Sequence, residues 1–204
     1  MISLHEIDEF ILKEYESAQK LTYHVDEMRS KLTQFFIALS GVAFAATSAL
    51  LNKDIAPLLF GIPWWMVASF ITFGCAVLGS LFVLIIAKLR RTQIEHFHIT
   101  NNIRQYFLEK SDNADELWRV VALSHETIPK PTRSSGSYYW VLLIIILTSL
   151  FFAIFAYLLS ANLATSDSSK YECAVFFFVI SGLALDKMYI TTATFVKKAD
   201  KRLR

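Results

Sequence analysis

The sequence has few of the residues that staple, break or tighten a chain: two cysteines, four prolines and six glycines in 204 residues. The cysteines do not form a disulfide framework. Cys75 falls about 16 Å into an apolar run at about 1.5 Å per residue, whereas Cys173 stands near the start of another. The glycines form no phosphate-binding loop, and no Ser, His and acid set stands out. The net charge of +2 is too small to argue for a polyanionic partner. A cleavable secretory signal is not expected: residues 2–31 carry eleven charged side chains and no continuous apolar core.

What is abundant is apolar surface. Hydrophobic residues make up 54% of the chain, and 17 residues are Phe, well above a soluble domain. A membrane-spanning helix needs about 20 predominantly apolar residues. Leu32–Leu51, Trp64–Ala87 and Tyr138–Leu163 are 20, 24 and 26 residues long and carry no charge. A fourth run, Cys173 to about Thr194, is weaker because it contains Asp186 and Lys187. The expected fold is all-α: four transmembrane helices with a long cytoplasmic helical stalk.

Charge placement orients these spans. Residues 1–31 hold four Lys and Arg, residues 88–137 hold eight, and the chain from Lys187 onward holds six. With four spans, 18 of the 20 basic residues lie on one side, with Lys53 and Lys170 on the other. The positive-inside rule makes the basic side cytoplasmic. Trp64 and Trp65, Tyr138 to Trp140, and Tyr171 fall at the expected interfaces, where an apolar ring with a polar tip is favoured. The divisions are a cytoplasmic stalk helix (1–31), a transmembrane hairpin (32–87), a cytoplasmic helical region (88–137), a second hairpin (138–194) and a basic cytoplasmic tail (195–204). The connections at 52–63 and about 160–171 leave no room for a folded domain on the other side.

The N-terminal segment is the most regular. Leu4, Ile7, Ile11, Ala18, Leu21, Val25, Met28, Leu32 and Phe35 follow alternating three- and four-residue steps, with Glu14 the one polar gap. This is a coiled-coil seam over more than four heptads, expected to lie on one helix from about residue 3 to about 51. The second span is expected to continue as a helix to about Ser111, with His96, Ile99, Ile103 and Tyr106 on one side, and to pair with the first. That partner is too short to cover the whole seam, which leaves Leu4, Ile7, Ile11 and Ala18 as a candidate oligomer or partner surface. A short helix over 112–126 and a Pro- and Ser-rich link should precede the third span.

Candidate chemistry is sparse. Asp186 and Lys187 have two readings. One is a polar site in the bundle interior, where a central charge costs about 2.5 to 3.5 kcal/mol on insertion scales. The other is a helix end at the interface, with Lys187 reaching to water. Small residues in the first and second spans, Gly41, Ala45, Ala46, Ser48, Ala49, Gly74, Gly79 and Ser80, allow close helix approach. Arg91 with His96, and Arg119 with His125, resemble the Arg–His spacing of HEPN ribonucleases, but a basic residue at position 91 is already expected at a membrane boundary. His96 and His98 point to different helix faces, poor geometry for a shared metal. The tail from Lys197 to Arg204 has the charge to bind nucleic acid or anionic lipid, but the more ordinary role of such a tail is a topology anchor. No cofactor, no metal and no direct nucleic-acid binding are expected.

This layout resembles the small multi-span membrane effectors and sensors of bacterial anti-phage systems. Those partner retrons, cyclic-nucleotide signalling systems, CRISPR loci or, in the Kiwa system, a cytoplasmic DNA-binding subunit. The resemblance covers the whole chain, rests on architecture and carries over no site residues. It implies a non-enzymatic component of the bacterial inner membrane that oligomerises and contacts lipid and a cytoplasmic protein, acting by membrane perturbation or partner recruitment. The alternative is a small channel or transporter subunit using Asp186.

Overall fold

The computed structural model describes residues 4–51, 62–110, 132–133, 135–163 and 167–194. Four helices follow in order: α1 (Leu4–Leu51), α2 (Trp64–Lys110), α3 (Gly136–Leu163) and α4 (Asp167–Thr194). The chain is all-α, and each helix is long and apolar enough to cross a membrane. The expected helix at 112–126, with Arg119 and His125, and the basic tail lie outside the described residues.

Helix lengths set the architecture. α1 and α2 have 48 and 47 residues, α3 and α4 have 28 each. At about 1.5 Å per residue the first pair is roughly 30 Å longer than the second. No Gly or Pro interrupts α1 before Gly41, so nothing in its sequence breaks the helix between the extension and the apolar run. α2 is central. It packs on α1, α3 and α4, while α3 and α4 form a hairpin and α1 touches α3 only lightly. The N-terminal end of α3 stands level with Arg29 and Ile86, whose side chains share a cleft with Ser137 and Val141. Residues before about 28 and after about 90 therefore run past the four-helix bundle as a two-helix extension.

Two apolar clusters fill the bundle. Near the extension, Phe36, Val83, Ile86, Tyr138, Val141, Ile144, Leu185 and Tyr189 pack together. Toward the other end, Ala43, Cys75, Ala76 and Phe151 do so, with Phe44 stacked on Phe151 at 4.5 Å between ring centroids. Between apolar helices in a membrane, close van der Waals fit holds such contacts together. Gly79 shows how close: a Cβ there would come within 2.7 Å of Phe36 Cζ and 2.9 Å of Thr148 Cγ2. Gly41 and Gly74, by contrast, face open space. On α4, Val175 to Ile180 are six consecutive exposed apolar residues. A helix surface apolar on every side suits lipid or a neighbouring subunit, not water.

Two sequence expectations change. The connection between the last two spans was expected at about 160–171, but α3 runs to Leu163 and α4 begins at Asp167. Ser160 donates to the Tyr157 carbonyl (3.0 Å) and Asn162 to the Leu158 carbonyl (2.7 Å), so these polar residues bond within the last turns of α3. Tyr157 and Tyr171 meet across the hairpin at 5.6 Å.

The second change is the α1 seam. Ala18 and Val25 are buried and Ile11 is half-buried, but Ile7, Leu21, Met28 and Phe35 are exposed. The intrachain face instead uses Asp8, Tyr15 and Arg29, one position further along. Tyr15 Oη accepts from Arg104 Nη2 at 2.9 Å, and Asp8 accepts from Tyr106 Oη at 3.2 Å and Lys110 Nζ at 2.7 Å. These bonds rotate α1 by about one residue, 100° of helix, relative to an apolar-only seam. They also carry α2 down to Asp8, so one face of α1 is covered along the length that was expected to be bare, while Ile7 and Phe10 on another face stay exposed. Ala18, expected on an oligomer surface, packs within the chain because of that coverage. The side chain of Leu4 lies outside the described residues. On α2, Ile99 is likewise exposed, and Thr100, Asn101 and Leu108 are buried in its place.

Candidate functional site

The polar side chains gather at the end of the bundle where α3 begins. Asp186 sits on α4 three residues before Tyr189 and one after Leu185, both buried. Its side chain is 13% exposed. Tyr138 Oη, from the first turn of α3, donates to Asp186 Oδ1 at 2.5 Å, and Arg133 Nη2 donates to Oδ2. The bond and the charge of Asp186 hold the Arg133 guanidinium above its ordinary range. Arg133 itself is largely exposed, so the pair straddles the bundle edge.

Neither reading of Asp186 holds as stated: α4 continues past it to Thr194, so no helix ends there, and its pairing with Tyr138 and Arg133 sets it at the edge of the bundle where α3 begins. The carboxylate ties the entry of α3 to α4, and both its oxygens are engaged. Lys187 is exposed beside it on a shallow open groove with Thr132, Leu183 and Thr191. The two residues flagged from the sequence are adjacent, but only Asp186 is built into the packing.

A second polar group was not singled out from the sequence. Arg29 of α1 and Arg90 of α2 are 8% and 6% exposed. Both donate through Nη1 to a single neutral acceptor, Gln93 Oε1, at 3.1 and 2.6 Å. Arg29 also reaches Asp26 at 3.1 Å, whose own side chain is 55% exposed. Among the described residues, the buried Nε groups of both arginines and the buried Tyr189 hydroxyl have no hydrogen-bond partner. Burying a cation is costly unless it is paired, and two like charges sharing one amide repel by an amount on the order of a few kcal/mol. The arrangement has more buried donors than acceptors. A sequence signal existed: Arg90 and Gln93, three apart, share a helix face, and Arg29 follows Val25 by one turn on the buried side.

A cleft of about 360 Å³ opens beside Arg29, between α1 and the start of α3. Ser30, Thr33, Gly136, Ser137 and Trp140 help to line it.

The remaining candidates disperse. Arg91 pairs with Glu95 at 3.0 Å on its own helix. The Nδ1 of His96 is buried without a partner among the described residues. Among the described residues, no group of three or more His, Cys, Asp or Glu is placed to hold a metal. Both cysteines are free thiols. Comparison of the chain with protein-family models, with curated proteins and with solved structures gives no match.

Proposed function

We propose that this is a non-enzymatic inner-membrane component that self-associates through its cytoplasmic helical extension and acts by perturbing the membrane or recruiting a cytoplasmic protein, as anti-phage effectors and sensors do. The supporting observation is the apolar stripe that α2 leaves bare. Ile7, Leu21, Met28 and Phe35 keep multiples of seven residues along α1 and are 38%, 39%, 38% and 58% exposed, with Phe10 beside them at 63%. A heptad-spaced apolar ridge on a helix facing water is matched by the same ridge on a second copy. The stripe is continuous with the apolar run, where Gly41, Ala45 and Ala49 are also exposed and permit close approach of another helix. The excess of basic residues supports a cytoplasmic side for the extension, both termini and residues 88–137, and the bacterial inner membrane follows from the resemblance in layout.

The test replaces Ile7, Leu21 and Met28 together by Glu and measures dye entry and membrane potential on overexpression, with phage protection as a second readout in the native locus. The variant should insert normally and lose the output. Full output from a variant shown to be monomeric would refute self-association as the working step. A channel built on Asp186 draws no support from the geometry, because Arg133 and Tyr138 engage the carboxylate.

A further inference from the structure

We propose that the groove between α4 and the entry of α3 is a docking site for an anionic phospholipid, its headgroup at Lys187 and one acyl chain along the bare face of α4. The charges come first. Arg133, Asp186 and Lys187 line the groove together. Asp186 accepts from Tyr138 on one oxygen and from Arg133 on the other, so the carboxylate and the guanidinium cancel. Lys187 is exposed and has no acidic partner among the described residues. Two cations and one carboxylate leave one positive charge, carried by Lys187. That is the complement of a phosphodiester headgroup with a single negative charge.

The apolar half of the site is independent of these charges. Phe176, Ile180 and Leu183 are 60%, 48% and 65% exposed. With Lys187 they follow steps of four, three and four residues, which puts all four on one face of α4. Leu185, Tyr189 and Ala193, on another face, pack in the bundle. Lys187 lies eleven residues beyond Phe176, about 16 Å at about 1.5 Å per residue. That is half of a roughly 30 Å hydrocarbon core, the depth of one leaflet. α4 begins at Asp167, twenty residues before Lys187, so Lys187 stands about one full core thickness from the start of the helix. An apolar rail of leaflet length that ends at a lone cation fits a diacyl phospholipid. A soluble anion would leave Phe176 and Ile180 unused, and a second copy related by a twofold axis would bring its own Lys187 toward this one. The proposal rests on the membrane-spanning reading of the four helices and not on self-association through α1.

The experiment titrates the full chain in a neutral detergent with phosphatidylglycerol or phosphatidylcholine of matched acyl chains. Native mass spectrometry counts the lipid bound per chain. Phosphatidylglycerol should bind at least about fivefold more tightly, the scale of one basic residue acting on an anionic headgroup. Lys187→Gln should reduce that preference to less than about twofold, and Lys187→Arg should keep it. Lys88→Gln removes an exposed cation of α2 near the same boundary and should leave the preference unchanged. Equal binding of the two lipids by the wild-type chain overturns the proposal. So does a preference that survives Lys187→Gln, or one that Lys88→Gln lowers as much, since either marks general charge attraction. A dimer that holds no lipid and that Leu183→Ala dissolves assigns the face to a second copy and also overturns it. A strict monomer with a preference that depends on Lys187 would leave this site standing while refuting self-association through α1.

Discussion

Gly79 of α2 faces both Phe36 of α1 and Thr148 of α3, and enlarging it gives a sharp test of the packing. A methyl group there would overlap Phe36 of α1 and both branches of Thr148 on α3. In isolation, Gly→Ala inside a helix is worth about 0.5 to 1 kcal/mol in favour of Ala. Overpacking costs about 1 to 3 kcal/mol, and the atoms met belong to the Phe36 and Thr148 side chains, both fully buried and with little room to retreat. Gly79→Ala should therefore destabilise by about 1 to 2 kcal/mol. For a chain of this size that lowers Tm by roughly 2–8 °C, taking about 2–4 °C per kcal/mol. Gly74→Ala, earlier on the same helix and facing open space, should leave Tm unchanged or raise it. The pair is read by heating the protein in detergent and following the surviving monodisperse fraction. A Thr148→Ala background removes two of the three overlapping atoms. The Thr148 hydroxyl bonds only within its own helix, to the Ile144 carbonyl at 2.7 Å. Gly79→Ala should thus cost less there, by at least about 0.5 kcal/mol of coupling. Equal stability of Gly79→Ala and Gly74→Ala would show that the three helices do not meet as described.

Asp186→Asn should keep the bond from Tyr138 and lose the charge partner of Arg133, costing no more than about 1 kcal/mol because Arg133 is exposed; loss of conduction with unchanged melting would return the residue to a pathway role. For topology, single cysteines at Lys53 and Ser166 should react with an impermeant reagent in intact cells, and those at Ser124 and Lys198 should not. Labelling at Lys198 would remove the fourth span.

Much of the fold is legible in the sequence because the lipid environment imposes long, charge-free runs. Trp64–Ala87 announces its own start with two Trp, and the lack of Gly or Pro before Gly41 makes α1 one helix from Leu4. The facing of the extension was less legible. Apolar spacing selects the whole seam, of which Ala18 and Val25 pack while Ile7, Leu21, Met28 and Phe35 do not; the packed side also takes Tyr15 with Arg104, Asp8 with Lys110 and Arg29 with Gln93. Partners 64 to 102 residues apart leave no local pattern. Asp186 stood out because a carboxylate is rare in an apolar run. Its partner Arg133 lies in a segment that reads only as a link, so the pairing was invisible. Arg29 and Arg90 read as two more boundary charges, and only the packing shows them buried together.

The account turns on whether the bare stripe of α1 joins two copies. Mass measurement of the intact protein in detergent, by light scattering with the detergent contribution subtracted, addresses this directly. The wild-type chain should sediment and scatter as a homo-oligomer. The Ile7, Leu21 and Met28 triple change to Glu should fall to the 23.3 kDa monomer while α1 and α2 stay paired through Tyr15 and Arg104. A wild-type protein that is strictly monomeric across its concentration range would contradict the account.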